Sequence, residues 1–508
     1  MPEIVSTQLI VGLEVHVELS TRSKMFAPVA SLAHPSGYEA PPNTLIDPVV
    51  LALPGALPVM NKAAVELAAM VGLALGCRTA PFSVWDRKSY FYPDLPKNYQ
   101  ISQYQLPLCF DGVVELPPIT PQGRIDYDAL AAEGASPGGP IPGTRIGIIR
   151  AHLEEDAGKN LHDESGRGGD TRVDLNRTGT PLLEIVSKPD MNTPEEAVAY
   201  LEEIRLMMRE LKVSDCEMQE GSLRCDANVN IHVGDAATPL VEIKNLNSFR
   251  AVGRAIKYEA ERQFAEYQKD PAGYRIEKVL KTTAGWDDAK GRTEVQRHKE
   301  EAADYRYFPD PDLVPVIVTA EQIEAVRAEM GELPQQQRAR IVSQYALSDY
   351  DAGVLTAKGR ATVAYFETVA AAIGDAKAAA NRMSDLIFPR TEAIEEFALP
   401  AAAFADFVKR TGPLSKQDRL DLLAHMLEHE VDLDAAMAAT GIKPQTFDES
   451  TLRAAVVAAI AANPKAVADF KKGKDAAKMS IVGNVMKGNK GAPNDVVRRL
   501  VDEELGKV

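Results

Sequence analysis

Hydrophobic and polar residues alternate in several short runs over the front three-fifths of the chain. In residues 9–19, Leu9, Val11, Leu13, Val15, Val17 and Leu19 share one parity, and Gly12, Glu14, His16 and Glu18 share the other. That is the period of a β-strand, whose successive side chains point to opposite faces. Similar runs at 145–154, 182–187, 223–233 and 241–244 predict further strands, separated by turn-rich stretches at 131–143 and 163–170. One helix is marked from its first residue. Thr193 suits the N-cap, Pro194 the first turn and Glu196 a capping box, and Ala197, Tyr200, Leu201, Ile204, Met208 and Leu211 follow at helical spacing. A second helix is predicted over 248–268. Beyond about residue 315 the chain becomes alanine-rich and helical, punctuated by Pro334, Pro400, Pro413, Pro444 and Pro464. There is no internal repeat.

The polar faces of these strands are chemically unusual. In 223–233, Arg224, Asp226, Asn228, Asn230 and His232 stand opposite Leu223, Cys225, Ala227, Val229 and Ile231. Asp and Asn are poor strand formers, so a series of them on one face signals a site. In the run HLEEDAGK at 152–159, a strand continuing from Ile146 puts His152 with Glu154 and turns Glu155 the other way, which favours Glu154 as the functional carboxylate. Glu184 lies in the apolar run PLLEIV, where a carboxylate is costly unless paired, hydrogen-bonded or on a metal. The functional reading brings Glu14, His16, Glu154, Glu184 and Asp226 onto one or two divalent cations. Carboxylate-rich ligation favours magnesium or manganese over zinc. The plain alternative is a solvated, salt-bridged strand face.

Composition narrows the class. A chain of 508 residues with 45% apolar content implies two or more domains. The net charge of −16 argues against a generic nucleic-acid coat and leaves room for a local basic patch. Such a patch lies near the end, at Lys465, Lys471, Lys472, Lys474, Lys478, Lys487 and Lys490. Cys77, Cys109, Cys216 and Cys225 form no C-x-x-C pair, so neither a zinc ribbon nor a disulfide framework is expected, and the cytosol is. The opening residues lack a signal peptide, and the apolar run 49–60 is short and broken by Pro54 and Pro58, so no membrane association is expected. No phosphate-binding glycine loop is present; the nearest, GNVMKGNK at 483–490, has Asn489 where lysine is needed. The run HMLEH at 425–429 matches an inverted zinc-peptidase signature but reads as an ordinary helix. The run 86–103 mixes Arg87, Lys88 and Lys97 with aromatic rings. It suits either a surface that stacks bases and holds phosphate or a satellite core with a charged rim.

Seven segments in order resemble one family: GLEVHVEL (12–19), DRKSYFYPDLPKNYQISQ (86–103), HLEEDAGK (152–159), DLNRTGTPLLEIV (174–186), EGSLRCDAN (220–228), EIKNLNSF (242–249) and DYRYFP (304–309). The chain is similar, over essentially its whole length, to the bacterial B subunits of glutamine-dependent aspartyl/glutamyl-tRNA(Asn/Gln) amidotransferases. The resemblance implies an α+β fold. It has a mostly antiparallel-sheet catalytic domain (1–312) like those of glutamine synthetase and guanidino kinases, an all-α helical domain (313–400) and a YqeY-like tail (401–508). It also implies ATP-dependent phosphorylation of the side-chain carboxylate of Glu-tRNA(Gln) or Asp-tRNA(Asn), followed by amidation with ammonia from an amidase A subunit, with a small C subunit completing a heterotrimer.

The resemblance assigns a magnesium site to Glu14, His16, Glu154, Glu184, Glu220 and Asp226. ATP or acyl contacts fall to Arg87, Lys88, Lys97, Arg177 and Lys244, and tRNA contacts to Lys471, Lys472, Lys474, Lys478, Lys487 and Lys490. Two departures matter. Residues 26–53 lack the four cysteines of a zinc knuckle, so no zinc is expected, and TAGWD at 283–287 has Ala284 where the family has arginine. Rival readings are a free-standing ATP-dependent ligase or kinase for a small carboxylate, and a non-catalytic tRNA-binding protein. Activity on free glutamate favours the first rival, and inactivity with every substrate the second.

Overall fold

The computed structural model describes residues 6–32, 40–120, 143–161, 170–298, 305–391, 393–443, 448–471, 477–489, 492 and 494–507. The chain divides into two units, Met1–Arg340 and Ile341–Val508.

The first unit is built on one large sheet. Eleven of its thirteen strands among the described residues are β1 (Thr7–Glu18), β2 (Asp86–Ser89), β3 (Tyr99–Ser102), β4 (Cys109–Glu115), β5 (Arg145–Glu155), β6 (Pro181–Ser187), β7 (Leu223–Val233), β8 (Val241–Lys244), β9 (Thr282–Asp287), β10 (Arg292–His298) and β11 (Phe308–Pro309). They lie in the order β10-β9-β8-β7-β1-β6-β5-β3-β2-β11, with β4 paired to β5 off this path. These pairings are antiparallel except β8 with β9. The five strands expected from alternation are present, with ends shifted by at most two residues.

The apolar parity of β1 faces the core, where Val11, Leu13, Val15, Val17 and Leu19 are at most 1% exposed. Helices α1 (Lys62–Ala74) and α2 (Pro194–Glu210) contribute Ala64, Ala68, Val71, Tyr200, Leu201 and Ile204 to the same core. Each buried Val, Leu or Ile side chain among these contributes roughly 1.5–3 kcal/mol by leaving water. This one-sided packing leaves the other parity of β1 free for chemistry. Helix α3 (Phe249–Lys269) adds Val252, Ala255 and Ile256 and is capped by Ser248, whose hydroxyl accepts from the Ala251 amide at 3.0 Å.

A second anchor is Lys24, which is 1% exposed and donates to the carbonyls of Leu45 (2.7 Å), Leu175 (3.3 Å) and Thr178 (2.6 Å). One ammonium thus ties the segment after β1 to the loop before β6.

The second unit is helical throughout its described residues, from Asp349–Thr356 to Asn494–Leu505. Its apolar side chains form two clusters, one running from Ile341 to Ala436 and one from Leu452 to Leu505. GNVMKGNK falls on the helix Lys478–Gly488 and the turn after it, apart from Lys490, which lies outside the described residues. HMLEH ends the helix Lys416–His429, where the His425 and His429 rings lie 4.3 Å apart and no third ligand joins them among the described residues. No described helix is long and apolar enough to cross a membrane.

The Thr193 capping box is present: Thr193 Oγ1 accepts from the Glu196 amide at 3.1 Å, and Glu196 accepts in return from the Thr193 amide at 3.2 Å. Thr193→Ala removes the first bond and leaves a helix-end amide unsatisfied. The expected cost is about 1 kcal/mol, read as a lower urea midpoint with unchanged slope. An unchanged midpoint would show that the cap adds nothing to stability.

Candidate metal centre

Antiparallel pairing sets side chains from neighbouring strands directly across from one another. In the register of β1 with β6, His16 stands opposite Glu184, and in that of β6 with β5, Glu184 stands opposite His152. In the register of β1 with β7, Glu14 stands opposite Asp226 and His16 opposite Arg224. The polar parities of four strands therefore make one continuous surface.

On that surface the ligand atoms of His16, Glu154 and Glu184 all lie within 4.8 Å of one another. His16 Nε2 is 3.4 Å from Glu184 Oε2 and 3.7 Å from Glu154 Oε1. A second group, Glu14, Asp226 and Glu242, meets the same limit. Lys244 pairs with Asp226 and lies 3.1 Å from Glu242, and Asn228 donates to Glu14 Oε1 at 3.1 Å. A third polar group closes the row, where the buried Glu18 and Asp156 meet Arg224 and Arg177.

Electrostatics differ sharply within the first group. Burial, then the charge of Glu184, pushes the Glu154 carboxyl up to about 7. Burial also works against ionised Glu184, but His152, the hydrogen bond and charge of His16, and Lys88 hold it well below the usual carboxylate range. His16 is raised: burial opposes its proton, and the Glu184 hydrogen bond with the Glu184 and Glu154 charges outweighs it. Burial lowers His152 to about 4, with Arg150, His16 and Lys88 acting the same way. His152 is therefore a neutral imidazole near pH 7, and its Nδ1 is buried without a partner.

The residues singled out from sequence divide in space. Glu14, His16, Glu154, Glu184 and Asp226 lie in the two groups, and Lys244 sits inside the second. Glu220 is exposed in the turn before β7 and joins neither group. The charge of Lys88 reaches Glu154, Glu184 and His152. Arg87, its neighbour of opposite parity, is held by Asp310 and Asp312 at 2.7 Å each. Lys97 pairs with Glu155, which also accepts from the Ile101 amide at 3.0 Å, on the face away from Glu154. Arg177 donates to the carbonyls of Ala157 (2.9 Å) and Gly158 (2.7 Å). In the second unit Lys478 pairs with Asp502 at 3.2 Å and Lys487 lies in the last turn of its helix. Lys472, Lys474, Lys490 and the side chain of Lys471 lie outside the described residues.

Glu242, His152 and Arg150 were not singled out. A signal existed for each: Glu242 shares parity with Lys244, and Arg150 and His152 share it with Glu154. Ala284 is buried at 2% exposure, opposite Ile243.

Oxygen-dominated donor sets of this kind suit a hard divalent cation. Two buried polar atoms of residues in this row, His152 Nδ1 and Asn228 Oδ1, have no hydrogen-bond partner, as expected beside a site that takes up an ion or its water. Both groups fit such an ion by donor chemistry.

The raised His16 depends on Glu184. In Glu184→Gln the anion is lost while burial stays, so His16 is expected to titrate at lower pH than in the parent protein. Histidine NMR on metal-free protein measures this, and an unmoved His16 titration would show that Glu184 does not hold its proton.

The GatB/GatE catalytic domain family matches residues 9–324, and the GatB domain family matches 364–505. The B subunit of aspartyl/glutamyl-tRNA(Asn/Gln) amidotransferase from Rhodopirellula baltica is 44% identical, covering 98% of this chain and 97% of its own length. Those of Moorella thermoacetica and Thermosynechococcus vestitus are each 42% identical over 98% of this chain, covering 99% and 96% of their own lengths. With a family model matched in each of its units and 98% of its length aligned, the chain belongs to the family of aspartyl/glutamyl-tRNA(Asn/Gln) amidotransferase B subunits.

Proposed function

We propose that the first unit phosphorylates and then amidates the side-chain carboxylate of Glu-tRNA(Gln) or Asp-tRNA(Asn), using ATP. The observation that carries the reading is the group His16, Glu154 and Glu184, with Lys88 beside it, on a domain of the catalytic family.

A carboxylate resists attack by ammonia because oxide is a poor leaving group. Its oxygen attacks the γ-phosphorus of ATP, the bond to ADP breaks, and the acyl phosphate formed carries a good leaving group. Ammonia then attacks the carbonyl carbon and expels phosphate, and the surplus proton leaves the nitrogen. Magnesium would be held by His16, Glu154 and Glu184, and a second ion by Glu14, Asp226 and Glu242; when bound it offsets charge on the transferring phosphoryl group. Glu184 fixes the His16 ring. Lys88 and Arg150 supply positive charge on the same side, and Lys244 balances the second group.

Ammonia would come from an amidase A subunit, with a small C subunit completing the heterotrimer. The reaction is that of a glutamine-hydrolysing carbon–nitrogen ligase in protein biosynthesis, placed in the cytoplasm. The mostly antiparallel sheet with its acidic face supports a likeness to glutamine synthetase and guanidino kinases. Residues 1–312 form the catalytic domain in this reading, with 313–400 a helical domain and 401–508 a YqeY-like tail. The tail lysines Lys471, Lys472, Lys474, Lys478, Lys487 and Lys490 grip the tRNA backbone.

Glu154→Gln and His16→Ala are each expected to lower ATP-dependent phosphorylation of Glu-tRNA(Gln) by about a thousandfold or more, at roughly 1.4 kcal/mol per factor of ten. Affinity for the tRNA should stay within about threefold, since backbone contacts carry it. Full activity in both variants sinks the assignment. Cation binding also requires ionised Glu154, whose carboxyl is pushed up to about 7, and His16 without the proton that Glu184 and Glu154 help it keep. Affinity for Mn²⁺ should therefore fall about tenfold or more per unit as pH drops below that range. Calorimetric titration at pH 6 and pH 8 that gave equal affinities would remove Glu154 from the ligand set.

A further inference from the structure

Beside the first carboxylate group stands a wall of tyrosines that the chemistry above does not use. Tyr104 and Tyr307 are stacked, with centroids 4.2 Å apart and planes at 11°. Tyr305 meets Tyr307 edge-on at 6.2 Å, and Tyr90 meets Tyr305 at 6.1 Å.

Two cations border the wall. Lys88 Nζ lies 5.0 Å from the Tyr305 centroid and 5.9 Å from that of Tyr90. Arg150 lies 5.5 Å from the Tyr104 centroid, and its Nη2 is 3.9 Å from Glu184 Oε1. Arg150 therefore touches the wall and the carboxylate group at once, and its Nε is buried without a partner.

The wall is held rigidly from behind. Asp86, fully buried, accepts from the amides of Tyr104 (3.0 Å) and Gln105 (2.9 Å). The Ser89 amide donates to the Tyr305 carbonyl at 2.8 Å, and β11 pairs Phe308 with Arg87. Yet Tyr104 itself is 46% exposed. A core satellite buries its rings. This stack instead leaves Tyr104 half in solvent, with the Arg150 guanidinium over its ring.

We propose that Tyr104, capping this stack, is the platform for an adenine ring, with Arg150 taking the phosphate next to it. Flat rings with an adjacent anion are what such a pairing of aromatic and guanidinium groups recognises. The inference rests on the proposed reaction, which brings two adenines to one centre: that of ATP, and the terminal adenosine that carries the amino acid on tRNA.

The test uses the assembled complex with its partner subunits. Binding of ATP and of glutamylated tRNA is measured separately for the parent, Tyr104→Ala and Tyr104→Phe, together with kcat. Tyr104→Ala is expected to weaken one of the two ligands about ten- to a hundredfold, and Tyr104→Phe to stay within about twofold. Loss on the ATP arm assigns the platform to the nucleotide, and loss on the tRNA arm assigns it to the acceptor end. Unchanged affinity on both arms in Tyr104→Ala overturns the proposal, as does a phenylalanine variant as weak as the alanine one. A parent complex inactive with ATP and tRNA would sink the proposed function instead, so the two failures are distinct.

Discussion

The register of β1 between two antiparallel neighbours is the constraint on which the rest of the structure depends. Side chains on a strand have a period of two residues, so a slip of one residue against β6 or β7 would turn His16 and Glu14 into the core and bring Val15 to the polar surface. Five core residues at most 1% exposed hold the strand against that slip. Their burial is what places an imidazole opposite Glu184 and a carboxylate opposite Asp226. Packing on one face thus sets chemistry on the other.

The polar surface gathers more negative charge than a fold tolerates without compensation. Buried carboxylates of like sign raise each other's proton affinity, and the protein answers in three ways along one row. Around Glu184 it uses the His16 imidazole and Lys88, around Asp226 and Glu242 it uses Lys244, and around Glu18 and Asp156 it uses Arg224 and Arg177. Glu18 remains uncompensated enough to be pushed up to about 8 by burial, with Asp156 next.

How much of this was legible in the sequence follows from how local each signal is. Strand alternation is local and needs no partner, so β1, β5, β6, β7 and β8 could be read directly, and the parity of Glu154 against Glu155 with them. Helix α1 could not. It is buried at Ala64, Val65, Ala68, Ala69, Met70, Val71 and Gly72, and a helix apolar on most sides shows no periodicity. The fate of a cation depends on what folds back against it. Arg87 meets Asp310 and Asp312 more than two hundred positions later in the chain, and nothing near Arg87 announces them. Glu242 and His152 shared parity with residues already suspected, so their signal was present and weaker than that of a carboxylate in an apolar run.

The two ends of the large sheet carry a further consequence. At one end β11 is two residues long and contains Pro309, which has no amide to donate. At the other, β10 carries Arg292 and Glu294. A bare margin invites foreign strands, and short, proline-bearing or charged margins discourage them. Margins of this kind keep the sheet from extending into a second copy of the chain.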